Sequence, residues 1–401
     1  MTDVPNHPHA LLALEDGKVF FGRAFGSAKD AAGELCFNTS MTGYQEICTD
    51  PSYRGQIVTL TYPLINNYGV TPVDMESVHP WLSGLVVREL CAHPSNWRAT
   101  QELDEFLANN NIPGIYGLDT RAITQHLRTY GFKRAVLAVA PPDVLPEEAR
   151  DPFLWSSGRT PGIEAYVNDC IARAQHVTPL SDHDVVGEVS VNTGKYTAHA
   201  PWQPWPLPQQ TAAQKRVVFI DTGGKHNIAH SLTSRGAEVV WVPYGTRYEE
   251  IRDMDPAGVV VCNGPGDPEV DAVAATVATT AKLMQRYPLL GICLGHQIIA
   301  LAAGARTSRL KFGHRGANHP VQDIESGKVH ITTQNHGFQV DAASIPENSG
   351  FRVSHISLND GSVEGLRHHD LPVLSVQYHP EACPGPQDNQ YIFDEFTELI
   401  S

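Results

Sequence analysis

The sequence predicts an α/β protein of two domains. An N-terminal mixed α/β domain is expected over residues 1–192. A C-terminal domain over 216–401 is expected to be built on a mostly parallel, doubly wound sheet. Three observations lead there. After residue 215, short apolar segments alternate with amphipathic ones, the pattern of strands buried on both faces beneath helices. Between 193 and 215, Pro201, Pro204, Pro206 and Pro208 crowd together, and chain that dense in proline reads as a semi-rigid linker. The 401 residues, 41% hydrophobic and 18% charged, are enough for two or three domains with real cores and too apolar for a disordered chain.

In the N-terminal domain, Ala10 to Leu14 and Lys18 to Phe21 flank Asp16-Gly17, a pair that tolerates the positive φ of a tight hairpin. Gln56 to Tyr62 reads as a strand ended by Pro63. Leu103, Phe106 and Leu107 share one helical face, and Asp119 is placed to cap a helix running to Arg128. Trp202 and Trp205 are expected to pin the linker to a domain, and the stretch from about 176 to 199 carries no clear pattern.

In the C-terminal domain, Arg216 to Ile220, Ala237 to Val242, Gly258 to Cys262 and Pro288 to Ile292 read as strands. Helices are expected from Asn227 to Ser234, from Val270 to Arg286 and from His296 to Ala303, with Gly236 and Gly304 as stops. Beyond Val329 the pattern turns strand-rich, which suggests an antiparallel extension, and Pro372 to Val376 is a last apolar strand.

A net charge of −15 repels a phosphate backbone, so nucleic acid is a poor partner. No apolar run reaches the length of a membrane span, and Met1 to Ala10 has no basic stretch before an apolar core, so a soluble, cytoplasmic protein is expected. The seven cysteines, at 36, 48, 91, 170, 262, 293 and 383, form no disulfide framework and no CxxC pair, and no metal site is expected. Most are read as reduced, buried thiols, Cys383 among them.

Cys293 stands apart. In Leu289-Leu290-Gly291-Ile292-Cys293-Leu294-Gly295-His296-Gln297 a buried strand runs into Gly-x-Cys-x-Gly and then a helix. That is the setting of a nucleophile elbow, with glycines where a sharp turn leaves no room for Cβ atoms. A helix N-terminus favours the thiolate, and the Leu294 amide is placed to face an oxyanion. A nucleophile needs a base and the base an orienter. His379-Pro380-Glu381 offers both, because residues two apart in extended chain share a side and Pro380 keeps the chain extended. At the end of the third strand, Asn263-Gly264-Pro265-Gly266-Asp267-Pro268 forms a rigid turn in which Gly264 and Gly266 are candidate amide donors. Thr333-Gln334-Asn335-His336-Gly337-Phe338 reads, by itself, as a hairpin turn.

These four segments, in this order, resemble the class I, triad-type glutamine amidotransferase domain. Phe37 to Glu46, Thr49 to Tyr53, Gln56 to Pro63 and Leu310 to Pro320 are further similar to the small, glutaminase subunits of carbamoyl-phosphate synthetases. The resemblance implies the amidotransferase sheet in the C-terminal domain and a partner-docking N-terminal domain that contributes to a glutamine site. It implies Cys293 as nucleophile, His379 as proton shuttle and Glu381 as its orienter. Gly264 and Leu294 would supply oxyanion amides, and Ser52, Gly266, Gln297, Asn335, Gly337 and Phe338 would hold L-glutamine. It also implies a heterodimer with a large subunit that uses ATP and Mg, with no cofactor in this chain. Gly223-Gly224-Lys225-His226 is too short for a phosphate-binding P-loop and lacks its hydroxyl residue. Three other readings are a stand-alone cysteine hydrolase, an amidotransferase serving anthranilate or guanylate synthesis, and a silent scaffold. The first leaves Ser52 and Gln334–Phe338 unexplained, the second the N-terminal motifs, and the third is at odds with an intact cysteine and histidine.

Overall fold

The computed structural model describes residues 7–140, 161–191, 193–195 and 215–400. The chain divides into two compact units, one of residues 1–49 and 53–182, the other of 50–52 and 183–401.

The first unit is a closed barrel of seven strands. Its elements are β1 (His9–Leu14), β2 (Val19–Gly26), β3 (Ala31–Asn38), helix α1 (Tyr44–Thr49), β4 (Gln56–Leu60), the short β5 (Leu64–Ile65), β6 (Gly84–Val86), β7 (Glu89–Leu90), α2 (Leu103–Asn109), β8 (Pro113–Tyr116), α3 (Thr120–Tyr130), β9 (Lys133–Val139) and α4 (Pro161–Gln175). The barrel order is β1-β2-β8-β6-β4-β3-β9, with β5 and β7 paired apart from it. The expected hairpin is present: Leu12 lies opposite Phe20, and Gly17 takes φ 87° in the turn. Asp119 caps α3 by accepting from the Ala122 amide. Strand β1 carries no alternation of apolar and polar residues because both of its faces are covered. All six of its residues are buried, Leu11 and Ala13 under Ile163, Cys170 and Ala174 of α4, Leu12 and Leu14 on the other face. Closure of the barrel has no local signal in the sequence, since it depends on pairing β9 with both β1 and β3.

The second unit carries α5 (Val185–Val189), β10 (Gly194–Lys195), β11 (Lys215–Asp221), α6 (His226–Thr233), β12 (Ala237–Pro243), α7 (Tyr248–Asp253), β13 (Gly258–Val261), α8 (Asp271–Met284), β14 (Leu289–Ile292), α9 (Leu294–Ala302), β15 (Thr307–Asp323), β16 (Val329–Val340), β17 (Phe351–Ser357), β18 (Val363–His368), β19 (Val373–Val376) and α10 (Tyr391–Leu399). They form a ten-stranded sheet in the order β10-β12-β11-β13-β14-β19-β18-β17-β15-β16. The five strands β12 to β19 in that order are parallel, and antiparallel strands extend both sides. The alternation of β11 sorts the helices. Val217 and Phe219 join Ile228, Leu232, Phe393 and Phe396 on one face, while Val218 and Ile220 join Ile251, Leu283, Leu294 and Ile298 on the other. That is a doubly wound core.

The boundary lies earlier than the proline-rich stretch: the second unit begins at His183, because α5 and β10 belong to it, β10 as an antiparallel edge on β12. Residues 50–52 also belong to this unit, whereas the residues on either side of them in sequence belong to the first. Of the linker, 196–214, with its prolines and both tryptophans, lies outside the described residues. The antiparallel extension starts before Val329, with the 17-residue β15.

Candidate active site

The elbow is built as its glycines require. A Cβ on Gly295 would lie 1.9 Å from the Val261 carbonyl oxygen, and one on Gly291 would lie 2.6 Å from that of Gly295, so the turn closes only with hydrogen at both places. Between them Cys293 is held at φ 55°, ψ −105° as the residue that starts α9. A non-glycine residue in that region is strained and persists only where its surroundings over-determine it. Here the Cys293 amide donates to Val376 of β19 at 2.9 Å, and its thiol donates to the Asn335 carbonyl at 3.7 Å. The thiol is buried.

His379, the expected base, arrives from the segment beyond the neighbouring strand. Beyond β19 the chain continues through Gln377 and Tyr378 to His379, whose amide donates to the Thr333 carbonyl of β16 at 2.9 Å. His379 Nδ1 donates to Glu381 Oε1 at 2.7 Å, while Nε2 is buried without a hydrogen-bond partner among the described residues. Burial opposes the imidazolium, but the Glu381 carboxylate and Cys293 outweigh it and raise the His379 pKa to about 10.

Glu381 is fixed by a residue to which the sequence assigns no role. Lys225, the N-cap residue of α6 beyond the turn that follows β11 and only 2% exposed, donates from Nζ to Glu381 Oε1 at 2.9 Å and to the carbonyls of Ala382 and Cys383 at 2.8 Å. Burial raises the Glu381 carboxyl, yet Lys225 and then His379 overturn that and hold it at about 2. The only local signal for Lys225 is its place in the loop that follows the carboxyl end of a parallel strand, the side on which ligands gather in open α/β sheets.

The segment Thr333 to Phe338 is not the hairpin turn its composition suggests but the middle of β16. Its register on β15 shifts between Arg309/Phe338 and His314/His336, so Gly337 lies opposite a bulge spanning Leu310 to Gly313. Behind it, Gln334 donates to Glu364 at 2.8 Å, and His336 is bracketed by Gln334 Oε1 and the Phe338 carbonyl. His314, His336 and Glu364 bring potential ligand atoms within 4.8 Å of one another, a grouping that no spacing in the sequence announces. Gln297 on α9 donates to the Phe338 carbonyl and to Gln377 Oε1, both at 2.9 Å.

The Asn263–Pro268 turn closes on the same centre. A Cβ on Gly264 would lie 2.0 Å from the Thr222 carbonyl, and Gly266 takes φ +90°. Asn263 Nδ2 donates to Ser52 Oγ and to the Gly223 carbonyl, each at 3.0 Å. The Leu294 amide, first in α9, has no intrahelical acceptor. The second unit therefore brings together Cys293, His379, Glu381, Asn335, Gln297, Leu294, Gly264 and the Ser52 segment. Gly337 and Phe338 share the strand of Asn335 and are half-buried.

Residues 12–137 match a family model described as "Carbamoyl-phosphate synthase small chain, CPSase domain", and residues 218–399 match another described as "Glutamine amidotransferase class-I". The carbamoyl phosphate synthase small chain of Symbiobacterium thermophilum is 47% identical over 96% of this chain and 97% of its own. The chain belongs to this family. The pyrimidine-specific small chain of Bacillus subtilis is 43% identical over 97% of this chain and 95% of its own. The Akkermansia muciniphila small chain is 47% identical over 98% of this chain and 97% of its own. As a small chain with a class I amidotransferase domain, the protein is the glutamine-hydrolysing subunit of a carbamoyl-phosphate synthase. Among the described residues no helix is long and apolar enough to cross a membrane.

Proposed function

We propose that Cys293, His379 and Glu381 hydrolyse L-glutamine to glutamate, and that the ammonia released passes to a large, ATP- and Mg-using partner subunit. The Cys293 thiolate attacks the side-chain amide carbon. The amides of Leu294 and Gly264 stabilise the oxyanion. His379 Nε2–H gives its proton to the departing nitrogen, ammonia leaves, and a thioester remains. Water then attacks the thioester as His379 takes its proton, and collapse of the second tetrahedral intermediate frees glutamate and the thiolate. Glu381, held by Lys225, keeps His379 in the orientation that presents Nε2. Ser52, Gly266, Gln297, Asn335, Gly337 and Phe338 hold the substrate.

The observation that carries this reading is the contrast at His379: Nδ1 is tied to Glu381, while Nε2 is buried with no hydrogen-bond partner among the described residues, and the ring interacts with a cysteine held at positive φ. In this reading the chain works in the cytoplasm as one half of a heterodimer. The partner joins ammonia to bicarbonate, giving carbamoyl phosphate for arginine or pyrimidine synthesis. Direct transfer is needed because free ammonia is protonated at neutral pH and loses its nucleophilicity.

Cys293→Ser tests it. In a reconstituted complex, glutamine-dependent carbamoyl phosphate synthesis should vanish while synthesis from ammonium salt persists. Survival of the glutamine rate would reject Cys293 as nucleophile. Loss of both rates would assign it a structural role.

A further inference from the structure

Asp50 has no place in that chemistry, yet it lies at the centre of the polar contacts around Asn335. It is buried, and among the described residues no basic side chain pairs with it. Its Oδ1 accepts from the Ser52 amide at 2.9 Å and, at a longer 3.4 Å, from Asn263 Nδ2. Its Oδ2 accepts from Asn335 Nδ2 at 2.8 Å.

That last bond decides which way an otherwise ambiguous amide points. A carboxylate only accepts, so the NH2 end of Asn335 must face Asp50. The amide is planar, so Oδ1 is turned away from Asp50, and it is buried with no hydrogen-bond partner among the described residues. An unpaired buried acceptor is costly unless something donates to it. The Asn335 main-chain carbonyl meanwhile receives the Cys293 thiol, so the residue that carries this orphan acceptor is the one in contact with the proposed nucleophile. Within the proposed glutaminase reading, the substrate group that is donor-only and cationic is the α-ammonium of glutamine.

We infer that Asp50 is a positioning residue that fixes the amide orientation of Asn335, so that Asn335 Oδ1 receives the α-ammonium of glutamine. Asp50 acts through Asn335 and also puts a negative charge behind the bond. Selectivity for an α-amino substrate over its des-amino counterpart then depends on a residue that need not touch the substrate. With Asp50→Asn the amide at 50 is free to present NH2 to Asn335, which reverses the Asn335 amide and sets a donor against the ammonium.

The test compares glutamine with glutaramic acid, which is glutamine without its α-amino group, using the complete chain in complex with its large subunit. Asp50→Asn should raise KM for glutamine and cut the glutamine-to-glutaramate ratio of kcat/KM about 10- to 100-fold, the range of a hydrogen bond to a charged group. The kcat for glutamine should change little. Asn335→Ala should cut the same ratio, and Asp50→Asn added to Asn335→Ala should lower it no further. A purely structural defect would lower kcat/KM for both substrates alike and leave the ratio unchanged, which would overturn the inference. An additional fall in the double variant would overturn it too, since Asp50 would then act independently of Asn335. Should Asp50→Asn not fold, the Asn335→Ala ratio decides: an unchanged ratio refutes the role of Oδ1. Absence of glutaminase activity in the unaltered complex would instead refute the functional reading on which this inference rests.

Discussion

Replacing Lys225 by methionine should cost stability at the site while removing no catalytic atom and leaving its backbone assembled. Lys225 is 2% exposed and makes three hydrogen bonds of 2.8–2.9 Å, to Glu381 and to the carbonyls of Ala382 and Cys383. Methionine has a similar volume, so packing survives, but the Glu381 carboxylate is left buried with His379 as its remaining partner. Removing one member of a buried ion pair costs about 3–5 kcal/mol. Lys225 and His379 together hold the Glu381 carboxyl well below its ordinary value, so part of that stabilisation survives through His379 when Lys225 is removed. For a unit of this size, 3–5 kcal/mol lowers Tm by about 6–20 °C. The pH dependence has a definite sign. A depressed carboxyl stabilises above its unfolded pKa, so the Glu381 contribution is complete above about 4.5 and is lost as pH falls towards about 2. His379, raised to about 10, contributes fully below about 6.5 and loses that contribution as pH climbs towards about 10. Scanning calorimetry of the complete chain from pH 3 to 9 should therefore show a maximum between about 4.5 and 6.5. In Lys225→Met the whole curve should drop and its acid limb should move upward in pH. Lys225→Met/Glu381→Gln, with no orphaned charge, should recover much of the loss. A Tm shift below about 3 °C, or a double variant no more stable than the single, would refute the reasoning.

Other outcomes follow from the same geometry. Gly295→Ala puts a Cβ 1.9 Å from the Val261 carbonyl, and because both sides are backbone the elbow must open; urea unfolding should show a loss of more than about 4 kcal/mol, or no soluble protein. Ser52→Ala removes one acceptor from Asn263 Nδ2, which keeps the Gly223 carbonyl, so steady-state kinetics should show KM for glutamine up about 3- to 10-fold with kcat little changed. An unaltered saturation curve would make Ser52 a turn residue only.

What is legible in the sequence is whatever chemistry writes locally. Gly291 and Gly295 sit two residues either side of Cys293 because the turn excludes Cβ atoms, so the elbow and its helix are legible together. His379 and Glu381 are legible through their spacing of two and their Nδ1–Oε1 bond. The chain from His379 to Ala382 is nevertheless a turn, closed by the Ala382 amide on the His379 carbonyl at 3.1 Å, and not the extended segment expected around Pro380. Asp119 caps its helix within three residues. The barrel is not legible: β1 is buried on both faces and carries no alternation, and closure pairs β3 with β9 across about a hundred residues. The composition of Thr333–Phe338 misleads because its glycine and amides, which suggest a turn, serve a strand facing a bulge in β15.

Lys225 and Asp50 are hidden for a further reason. Each acts over a long separation, 156 residues from Lys225 to Glu381 and 285 from Asp50 to Asn335, so neither leaves a pattern that a window of sequence can hold. Both are also buried charges, and a buried charge is costly until its partner is in place. The proposed nucleophile and base, by contrast, are held by main-chain bonds, Cys293 to Val376 and His379 to Thr333, that need only the strands to pair. Sheet formation therefore places the reacting atoms. The long-range charges act on orientation: Lys225 fixes the carboxylate that turns His379, and Asp50 fixes the amide that faces the substrate. On this division, changes at Lys225 or Asp50 should alter the tautomer, orientation or selectivity of a site whose backbone is still assembled. Changes at Gly291 or Gly295 should prevent its assembly.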